Sequence, residues 1–520
     1  MKNAAAAAVV VCALCTVQAQ PPPGPSARSA PSRLSALDYF EIQQLSARFA
    51  HGMDTGVAEG AMAANVFTID GLLIDPRGRR AKGRAAVEAL AREDPQRRKG
   101  PTNVSELLAN LVVDPSEGGA IARTYVLFAA APLPGQPRGI VTTGGQYRDD
   151  LVRTSEGWRI RRRVFVPADG PEPVLPRLTP GEAPPPPAPR PTSSLGLSAD
   201  DFVGIERLYA DYGHTFDTGS ENGYGWANLY TPDGVHVNVV NSLEYIKGRD
   251  LLAAFAFGAY RVNGGFSSFN AAQAPTKTFL SLAHIQTSIL LEPTPDGVAA
   301  KPYRLTGALG ADNGVTLTPG GVYYDLLVRD AERWRFAASW YLLPGLRVPD
   351  AIARFISPVA TRGGYAPPAS SSVVRERIPA DDHVEIHQLY ARTAQALDSA
   401  MDNGNAYARS FTDDGVFTDA AGTVHKGRVA LAALARGEPG LQRGPAHVEH
   451  FVWQIHLEPV TGADRLGVPE VRGRAYVVMV KPRSAGAAEI LNGGQYWDDL
   501  VKTPDGWRIR SRTFRRVERN

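Results

Sequence analysis

Apolar residues recur at helical spacing in three separate stretches of the chain. Each stretch has them at i, i+3, i+7 and i+11, which places them on one face of a helix. The three series begin at Ile42, Ile205 and Ile386, and Thr393 is the one polar member of the third. The pattern predicts three amphipathic helices, far apart along the chain.

An alternating pattern follows each helical stretch. In "FVWQIHLEP", residues 451–459, apolar side chains fall on every second position, which is typical of a half-buried strand. Helices that come first, followed by strands joined by short turns, favour an α+β domain with an antiparallel sheet.

Short sequence motifs repeat in the same order. "GGQYRDDLV" at 144–152 returns as "GGQYWDDLV" at 493–501, with a looser copy, "GGVYYDLLV", at 320–328. A tryptophan follows each of them, and "KGR" and an "(F/Y)T.DG" element precede each of them. An ordered repeat of this kind predicts three copies of one domain. We interpret the "GGQY" motif as a hairpin scaffold that identifies the fold, although one of its alternating side chains could touch a pocket.

Changes in composition suggest where the domains end. Proline-rich and serine-rich segments lie between the copies and suit extended spacers. The predicted division is a tail at 20–34, domains at 35–167, 197–345 and 380–517, and linkers at 168–196 and 346–379.

The first 19 residues have the layout of a secretory signal peptide, with one lysine, a short Ala/Val-rich run and a small-residue site before Gln20. Both cysteines, Cys12 and Cys15, lie in this leader, so we expect an exported protein, periplasmic or secreted, without disulfides. No later apolar run is long enough to predict a membrane span. The formal net charge of +3 over 520 residues does not favour binding to nucleic acid.

The ordered set of helix, "(F/Y)T.DG", "KGR" and "GG.Y.D.LV" followed by tryptophan resembles the SnoaL-like family of the nuclear transport factor 2-like superfamily. The resemblance implies three cone-shaped α+β barrel domains, each a curved antiparallel sheet with N-terminal helices. It also implies a small hydrophobic ligand or substrate and no cofactor.

In catalytic members of the superfamily, an aspartate near the end of the first helix and a histidine on a strand act as acid–base partners. The aspartate carries over to Asp54, Asp217 and Asp398. The histidine carries over to His284 and His450, whereas copy one has Glu106 there, which puts acid–base chemistry in that copy in doubt.

Each candidate also has a structural interpretation. The aspartates could simply begin a turn at the helix end. His450 shares the strand face opposite Phe451 and Trp453, so it would point outward if that apolar face lined the cone. His51 and His214 lie opposite the apolar centre of their helices and are expected to be exposed.

Other side chains could bind the substrate. We predict this for Glu106, which takes the histidine position in copy one, and for the residues at i+4 from that position on the same strand face, namely Asn110, Ser288 and Gln454. Tyr209 and Tyr390 could donate hydrogen bonds to a substrate carbonyl, although core packing is the commoner role for such residues. The histidine spacing suggests no metal site; "HVEH" at 447–450 comes nearest, and strand alternation would separate its two imidazoles.

Two hypotheses for function remain open. The first is a cofactor-independent dehydratase, isomerase or hydrolase that acts on a small hydrophobic cyclic or polyketide-like substrate. The second is a non-catalytic protein that binds small molecules or mediates assembly. Copies one and three are the most alike, so we expect them to pair within the chain and to leave copy two free; homo-oligomers are also compatible with the sequence.

Overall fold

The computed structural model describes residues 34–55, 60–93, 104–130, 140–168, 192–239, 243–257, 282–309, 315–330, 333–342, 378–437, 448–460, 469–481 and 488–516. The predicted signal peptide, nearly all of the tail and most of the two linkers lie outside these ranges. Within them, no helix is both long and apolar enough to cross a membrane.

Three domains share one order of helices and strands. Domain 1 contains α1 Ala36–Thr55, α2 Ala61–Ala64, β1 Phe67–Ile74, β2 Arg80–Lys82, α3 Arg84–Glu93, β3 Val104–Ser116, β4 Gly119–Ala130, β5 Ile140–Thr154 and β6 Gly157–Pro167. Domain 2 contains α4 Ala199–Thr218, a 3-10 turn Ser220–Gly223, α5 Tyr224–Ala227, β7 Tyr230–Val239, β8 Leu243–Lys247, α6 Arg249–Ala256, β9 Leu282–Thr294, β10 Gly297–Leu309, β11 Val315–Arg329 and β12 Trp334–Leu342. Domain 3 contains α7 Ala380–Ser399, α8 Asn405–Ala408, β13 Phe411–Thr418, β14 Val424–Lys426, α9 Gly427–Arg436, β15 Glu449–Pro459, β16 Glu470–Lys481, β17 Glu489–Thr503 and β18 Gly506–Arg516.

Each domain builds one six-stranded sheet. In domain 1 the strand order is β2-β1-β6-β5-β4-β3, and the other two sheets repeat it. All neighbours are antiparallel except one pair per sheet, β1 with β6 in domain 1 and its equivalents. The predicted α+β class is therefore confirmed, and the single parallel pair makes each sheet mixed.

The repeated tryptophan fastens the last hairpin to the first helix. Its indole Nε1–H donates to an aspartate in the first turn of that helix, as in Trp158 to Asp38 at 3.0 Å. The same bond joins Trp334 to Asp201. A carboxylate at a helix N-terminus also faces the positive end of the helix dipole. This contact explains why the tryptophan recurs at a fixed place in every copy.

The "(F/Y)T.DG" element is a structural motif. A Cβ added at Gly71 would lie 2.9 Å from the Cβ of Phe67, and one at Gly415 would lie 2.7 Å from that of Phe411. Because glycine has no Cβ, the backbone of the bulged first strand can lie close to the aromatic residue at the start of the same strand.

The three domains close into a ring. Helix α1 packs on β9 of domain 2, α4 on β15 of domain 3, and α7 on β3 of domain 1. Strands β3, β9 and β15 also contact one another, so the ring has a pseudo-threefold axis. The expected pairing of copies one and three, with copy two left free, is corrected by these contacts: every domain touches both others.

A residue with positive φ occupies the same place in each central strand. These residues are Asn110 (φ 51°), Ser288 (φ 52°) and Gln454 (φ 48°). Such a backbone conformation is costly for residues other than glycine, and it persists where the surrounding structure enforces it. Each of them sits at a bulge where the pairing register shifts.

A side chain from the neighbouring helix binds each bulge carbonyl. His51 Nε2–H donates to the Ser288 carbonyl at 2.9 Å, and His214 Nε2–H donates to the Gln454 carbonyl at 3.0 Å. Gln395 completes the cycle by donating to the carbonyl of Asn110 at 2.9 Å.

The bulge side chains fit the helix residues opposite them. Ser288 and Asn110 bind backbone groups across their interfaces, and the helix residues equivalent to Gly213 in the other two domains are Ala50 and Ala394. The longer Gln454 faces Gly213 instead, and a Cβ added there would lie 2.4 Å from Gln454 Oε1. The smaller helix residue therefore compensates for the larger strand residue.

We predict that Gly213→Ala destabilises the contact between domains 2 and 3 by about 1–3 kcal/mol through overpacking. Gly213→Ala combined with Gln454→Ser should recover part of this loss, because it recreates the alanine and serine found at the equivalent positions Ala50 and Ser288. The rest should remain, since the added Cβ would still lie 2.8 Å from the His284 carbonyl oxygen. Urea unfolding of the three proteins measures the effect. A double variant no more stable than Gly213→Ala would contradict the size-matching account.

A buried ion pair lies inside domains 1 and 3. Arg163 contacts Asp149 at 2.6 Å and Arg512 contacts Asp498 at 2.6 Å, with all four side chains nearly inaccessible. The aspartates belong to the repeated "GGQY" motif, whose tyrosines, Tyr147 and Tyr496, lie under the same guanidinium groups.

Domain 2 lacks this arginine. Ser339 takes its place, and Tyr209 Oη–H donates to the buried Asp325 at 2.6 Å. Burial raises the pKa of Asp325 to about 7, although hydrogen bonds from Tyr209 and Ser339 oppose the rise. Removing the counter-charge therefore makes this aspartate titrate near neutral pH.

The raised pKa of Asp325 predicts a pH-dependent stability. Between pH about 4 and pH about 7 the folded chain holds a proton that the unfolded chain has released, so the free energy of unfolding falls as pH rises through this window. Asp325→Asn should flatten that part of the profile in urea unfolding measured from pH 5 to pH 8, a range that extends about one unit above the folded-state pKa of about 7. The exposed Asp250→Asn is the control; if both variants keep the wild-type slope, the assignment fails.

Candidate functional site

An aspartate and a histidine meet in domain 3. Asp398 lies in the last turn of helix α7, and its Oδ1 lies 2.5 Å from His450 Nδ1 on strand β15. The backbone N–H of His450 donates to Asp398 Oδ2 at 2.9 Å, which holds the carboxylate against the start of the strand. Both side chains are largely buried, at 9% exposure each.

Domain 2 repeats this arrangement. Asp217 Oδ1 lies 2.5 Å from His284 Nδ1, and the His284 backbone N–H donates to Asp217 Oδ2 at 2.8 Å. The ring of Phe216 packs edge-on to His284, with centroids 4.8 Å apart. The structure thus brings together both Asp–His pairs that the sequence proposed.

Domain 1 has the carboxylate without the imidazole. Asp54 accepts the backbone N–H of Glu106 at 2.9 Å, as in the other copies. The Glu106 side chain accepts a hydrogen bond from Tyr147 Oη–H at 2.9 Å. The first copy therefore keeps the local backbone geometry and replaces the histidine with a second acid.

The two faces of strand β15 resolve the question of where His450 points. Phe451 and Trp453 pack with Tyr125 of domain 1 in a core shared among the three domains. Val452, on the face of His450, packs in the core of domain 3. The apolar face is therefore the domain interface, and the histidine faces the interior of its own domain.

A tyrosine from the next domain reaches each aspartate. Tyr125 of domain 1 donates to Asp398 Oδ2 at 3.1 Å, and Tyr476 of domain 3 donates to Asp217 Oδ2 at 2.7 Å. In domain 1 the equivalent is Tyr303 of domain 2, whose pKa is raised well above its usual value by burial and by Asp54. Each pair is thus completed from outside its own domain.

These tyrosines stay protonated and act as donors. Burial, followed by the neighbouring carboxylate, raises the pKa of Tyr125 and of Tyr476 well above 10. A single sequence repeat does not reveal them, because each serves a different copy from the one that encodes it. The sequence shows a tyrosine at the same place in each copy, at 125, 303 and 476. Its role could be inferred only if the ring arrangement of the domains were already known.

The interior of domain 2 is more polar than the other two. Arg304 occupies the place of the buried valines Val126 and Val477, and its guanidinium lies 4.4 Å from the centre of the Tyr341 ring. His236 occupies the place of Leu73 of domain 1, and burial lowers its pKa to about 3. Domain 2 therefore carries its buried cationic side chain on β10, two strands away from β12, where Ser339 replaces the arginine of the other domains.

The two tyrosines predicted to bind substrate lie deep inside their domains. Tyr209 donates to Asp325, and Tyr390 lies against the Arg512 guanidinium, 4.9 Å from its ring centre. Both are almost fully buried, at 2% and 1% exposure. Their placement matches the core-packing interpretation, and contact with a substrate stays a prediction.

The i+4 residues lie elsewhere than expected. Asn110, Ser288 and Gln454 were placed on the same face as the histidine position, but the positive φ at each bulge turns them toward the neighbouring domain. They line a cavity of about 170 Å³ on the pseudo-threefold axis. Substrate binding by these three residues is therefore not favoured by where they lie.

His51 and His214 are not exposed, contrary to expectation. Their exposed fractions are 4% and 5% because the ring of domains covers that face of each helix. Burial lowers the pKa of His51 to about 3 and that of His214 to about 4, so both are neutral donors to the bulge carbonyls.

Solved structures similar to this chain match about one domain. Aln2 from a Streptomyces species is 29% identical over 26% of this chain and 89% of its own, with a TM-score of 0.23. A protein of unknown function from Mycobacterium tuberculosis is 28% identical over 26% of this chain and 72% of its own, with a TM-score of 0.22. ActVI-ORFA from Streptomyces coelicolor is 20% identical over 26% and 96%, with a TM-score of 0.22. A search of curated proteins finds no match.

The family comparison covers all three domains. The model of the SnoaL-like domain matches residues 35–164, 198–339 and 379–513, which together make up most of the chain. This match agrees with the repeat, the sheet order and the paired aspartate positions described above. The chain belongs to the SnoaL-like domain family and carries three tandem copies of that domain.

Proposed function

We propose that this protein is a cofactor-independent acid–base enzyme of dehydratase, isomerase or hydrolase type. Its substrate would be a small hydrophobic molecule, cyclic or polyketide-like. The observation that carries the proposal is the buried Asp398–His450 pair, repeated as Asp217–His284. Because the first 19 residues have the layout of a secretory signal peptide, we also propose that the protein is exported.

The geometry supports a histidine base. Since Asp398 holds Nδ1 of His450, the Nδ1–H tautomer is favoured and Nε2 carries the lone pair. Nε2 would take a proton from a substrate carbon next to a carbonyl, or from an attacking water. In a dehydration, the imidazolium would return that proton to the departing hydroxyl, which leaves as water.

The three domains have different roles in this proposal. Domains 2 and 3 carry the pairs, and domain 1, with Glu106, supplies Tyr125 to the site of domain 3. Arg304 gives the second site a cation where the third has Val477, so the second site favours a substrate with an anionic or carbonyl oxygen.

We predict that His450→Ala combined with His284→Ala lowers turnover by about 10²–10⁴-fold, because both general bases are lost. A panel of small hydroxylated ring ketones, followed by ultraviolet absorbance for loss of water or isomerisation, supplies the assay. Tyr125→Phe on a His284→Ala background, where only the third site is active, should lower the remaining turnover about tenfold through one lost hydrogen bond to the carboxylate.

His425→Ala is the matched control, since it removes a domain 3 histidine that lies 3.6 Å from another carboxylate, that of Asp419, outside the Asp–His pair. It should leave turnover near the wild-type value. If the double histidine variant turns over substrate as fast as wild type, the acid–base proposal is wrong. If panel compounds bind the wild type in calorimetry and none is converted, the non-catalytic binding hypothesis replaces it.

A further inference from the structure

Three equivalent helix positions converge on the pseudo-threefold axis. They are Gln43 on α1, Glu206 on α4 and His387 on α7, one residue after the isoleucine that begins each apolar series. The three helices touch one another here. Although their folds are alike, the domains present three different side chains at this point.

Glu206 is the centre of a compact polar cluster. Its Oε2 lies 2.9 Å from His383 Nε2 and 3.8 Å from His387 Nδ1. Its Oε1 accepts a hydrogen bond from Gln43 Nε2 at 2.8 Å. The cluster therefore contains side chains from all three domains.

The two histidines are one helical turn apart in "HVEIH", residues 383–387, so both imidazoles lie on one face of α7. Their ring centroids are 4.2 Å apart. One ligand atom from each of Glu206, His383 and His387 lies within 4.8 Å of the others. The earlier expectation that histidine spacing suggests no metal site overlooked this pair.

One nitrogen atom of the cluster has no hydrogen-bond partner among the described residues. His387 Nε2 is buried and finds no hydrogen-bond partner among the residues the structure describes. A buried polar atom without a partner destabilises the fold unless something else satisfies it. The cluster also borders the axial cavity of about 170 Å³, which leaves room for a further ligand such as water.

The donor set suits a divalent transition metal. Two imidazoles and one carboxylate are ligands typical of Zn²⁺, at about 2.0–2.2 Å each, with a fourth position left for water. Such bond lengths put ligand atoms about 3.3 Å apart in a tetrahedron. Glu206 Oε2 lies 2.9 Å from His383 Nε2 and 3.8 Å from His387 Nδ1, which brackets that value. The ligand atom of His387 would therefore be Nδ1, and its unpartnered Nε2 would bind water in the cavity and not the ion. Gln43 would hold the second carboxylate oxygen, as outer ligands commonly do.

We propose that Glu206, His383 and His387 bind one Zn²⁺ ion that joins α4 of domain 2 to α7 of domain 3. The ion would fasten the ring at its axis, apart from the Asp–His pairs. Because it binds only where two domains meet, it would stabilise the assembled chain over the open one.

Calorimetric titration of the chelator-treated full chain with Zn²⁺ tests the proposal. Cys12→Ser and Cys15→Ser are present in every sample so that leader thiols do not compete. The expected result is one ion per chain, with a higher unfolding temperature in Zn²⁺. Absence of saturable binding would overturn the proposal.

Variants assign the ligands. Glu206→Gln keeps an amide that can bond to Gln43 and His383, and it should weaken Zn²⁺ binding at least 100-fold, as should His387→Ala. Gln43→Ala should weaken it about tenfold through loss of the outer hydrogen bond. The control, His456→Gln, removes another buried histidine that contacts a carboxylate across domains 2 and 3, Asp211 at 2.7 Å, and should leave binding unchanged.

Loss of binding in the control, or binding that survives both Glu206→Gln and His387→Ala, would contradict the assignment. Where a variant does not fold, X-ray absorption of the Zn²⁺-loaded wild-type chain decides instead. It should show two imidazoles among nitrogen and oxygen ligands; a shell with fewer imidazoles would overturn the proposal.

Discussion

The structure depends on one interdomain contact made three times. A helix side chain, His51, His214 or Gln395, donates to the carbonyl of a strand residue held at positive φ in the next domain. The strained backbone conformation is kept because the neighbouring helix satisfies its carbonyl, and the helix is covered because the strand lies on it. Three such contacts in a cycle turn a linear repeat into a ring and bury a face of each helix that an isolated domain would expose.

The ring also determines how the candidate sites are built. Since the apolar face of each central strand packs at the interface, its other face carries the histidine into the domain interior. The same closure brings Tyr125 to Asp398 and Tyr476 to Asp217, so no pair is complete within one domain. The three domains differ, since one carries Glu106 and another carries Arg304. Because they belong to one chain, they occupy fixed places in the ring. Three separate chains would reach this arrangement only by associating in the right order.

Sequence patterns predicted the fold of one copy and the Asp–His contact that lies within it. The repeat and the alternating pattern predicted the fold class, and the family resemblance predicted Asp398 with His450. That pair lies within one domain, where its contact is set by the register between a helix end and a strand. Patterns within one copy were not enough for contacts between copies. The bulge at Asn110 breaks the alternation on which the i+4 argument relied, and the burial of His51 depends on a neighbouring domain. Glu206 is likewise distant in sequence from its histidine partners.

Closure of the ring between domains 3 and 1 is the most direct test of this account. Arg392 on α7 contacts Asp114 on β3 at 2.6 Å, and both side chains are partly exposed, at 44% and 36%. Arg392→Cys with Asp114→Cys, in a chain whose leader cysteines are replaced by serine, can be treated with a short bis-maleimide and digested for mass spectrometry. The account predicts a crosslink within single chains, and none when Asp114→Cys is replaced by Asp70→Cys on the distant strand β1. A crosslink found only between chains, or equal yields for the two pairs, would contradict it.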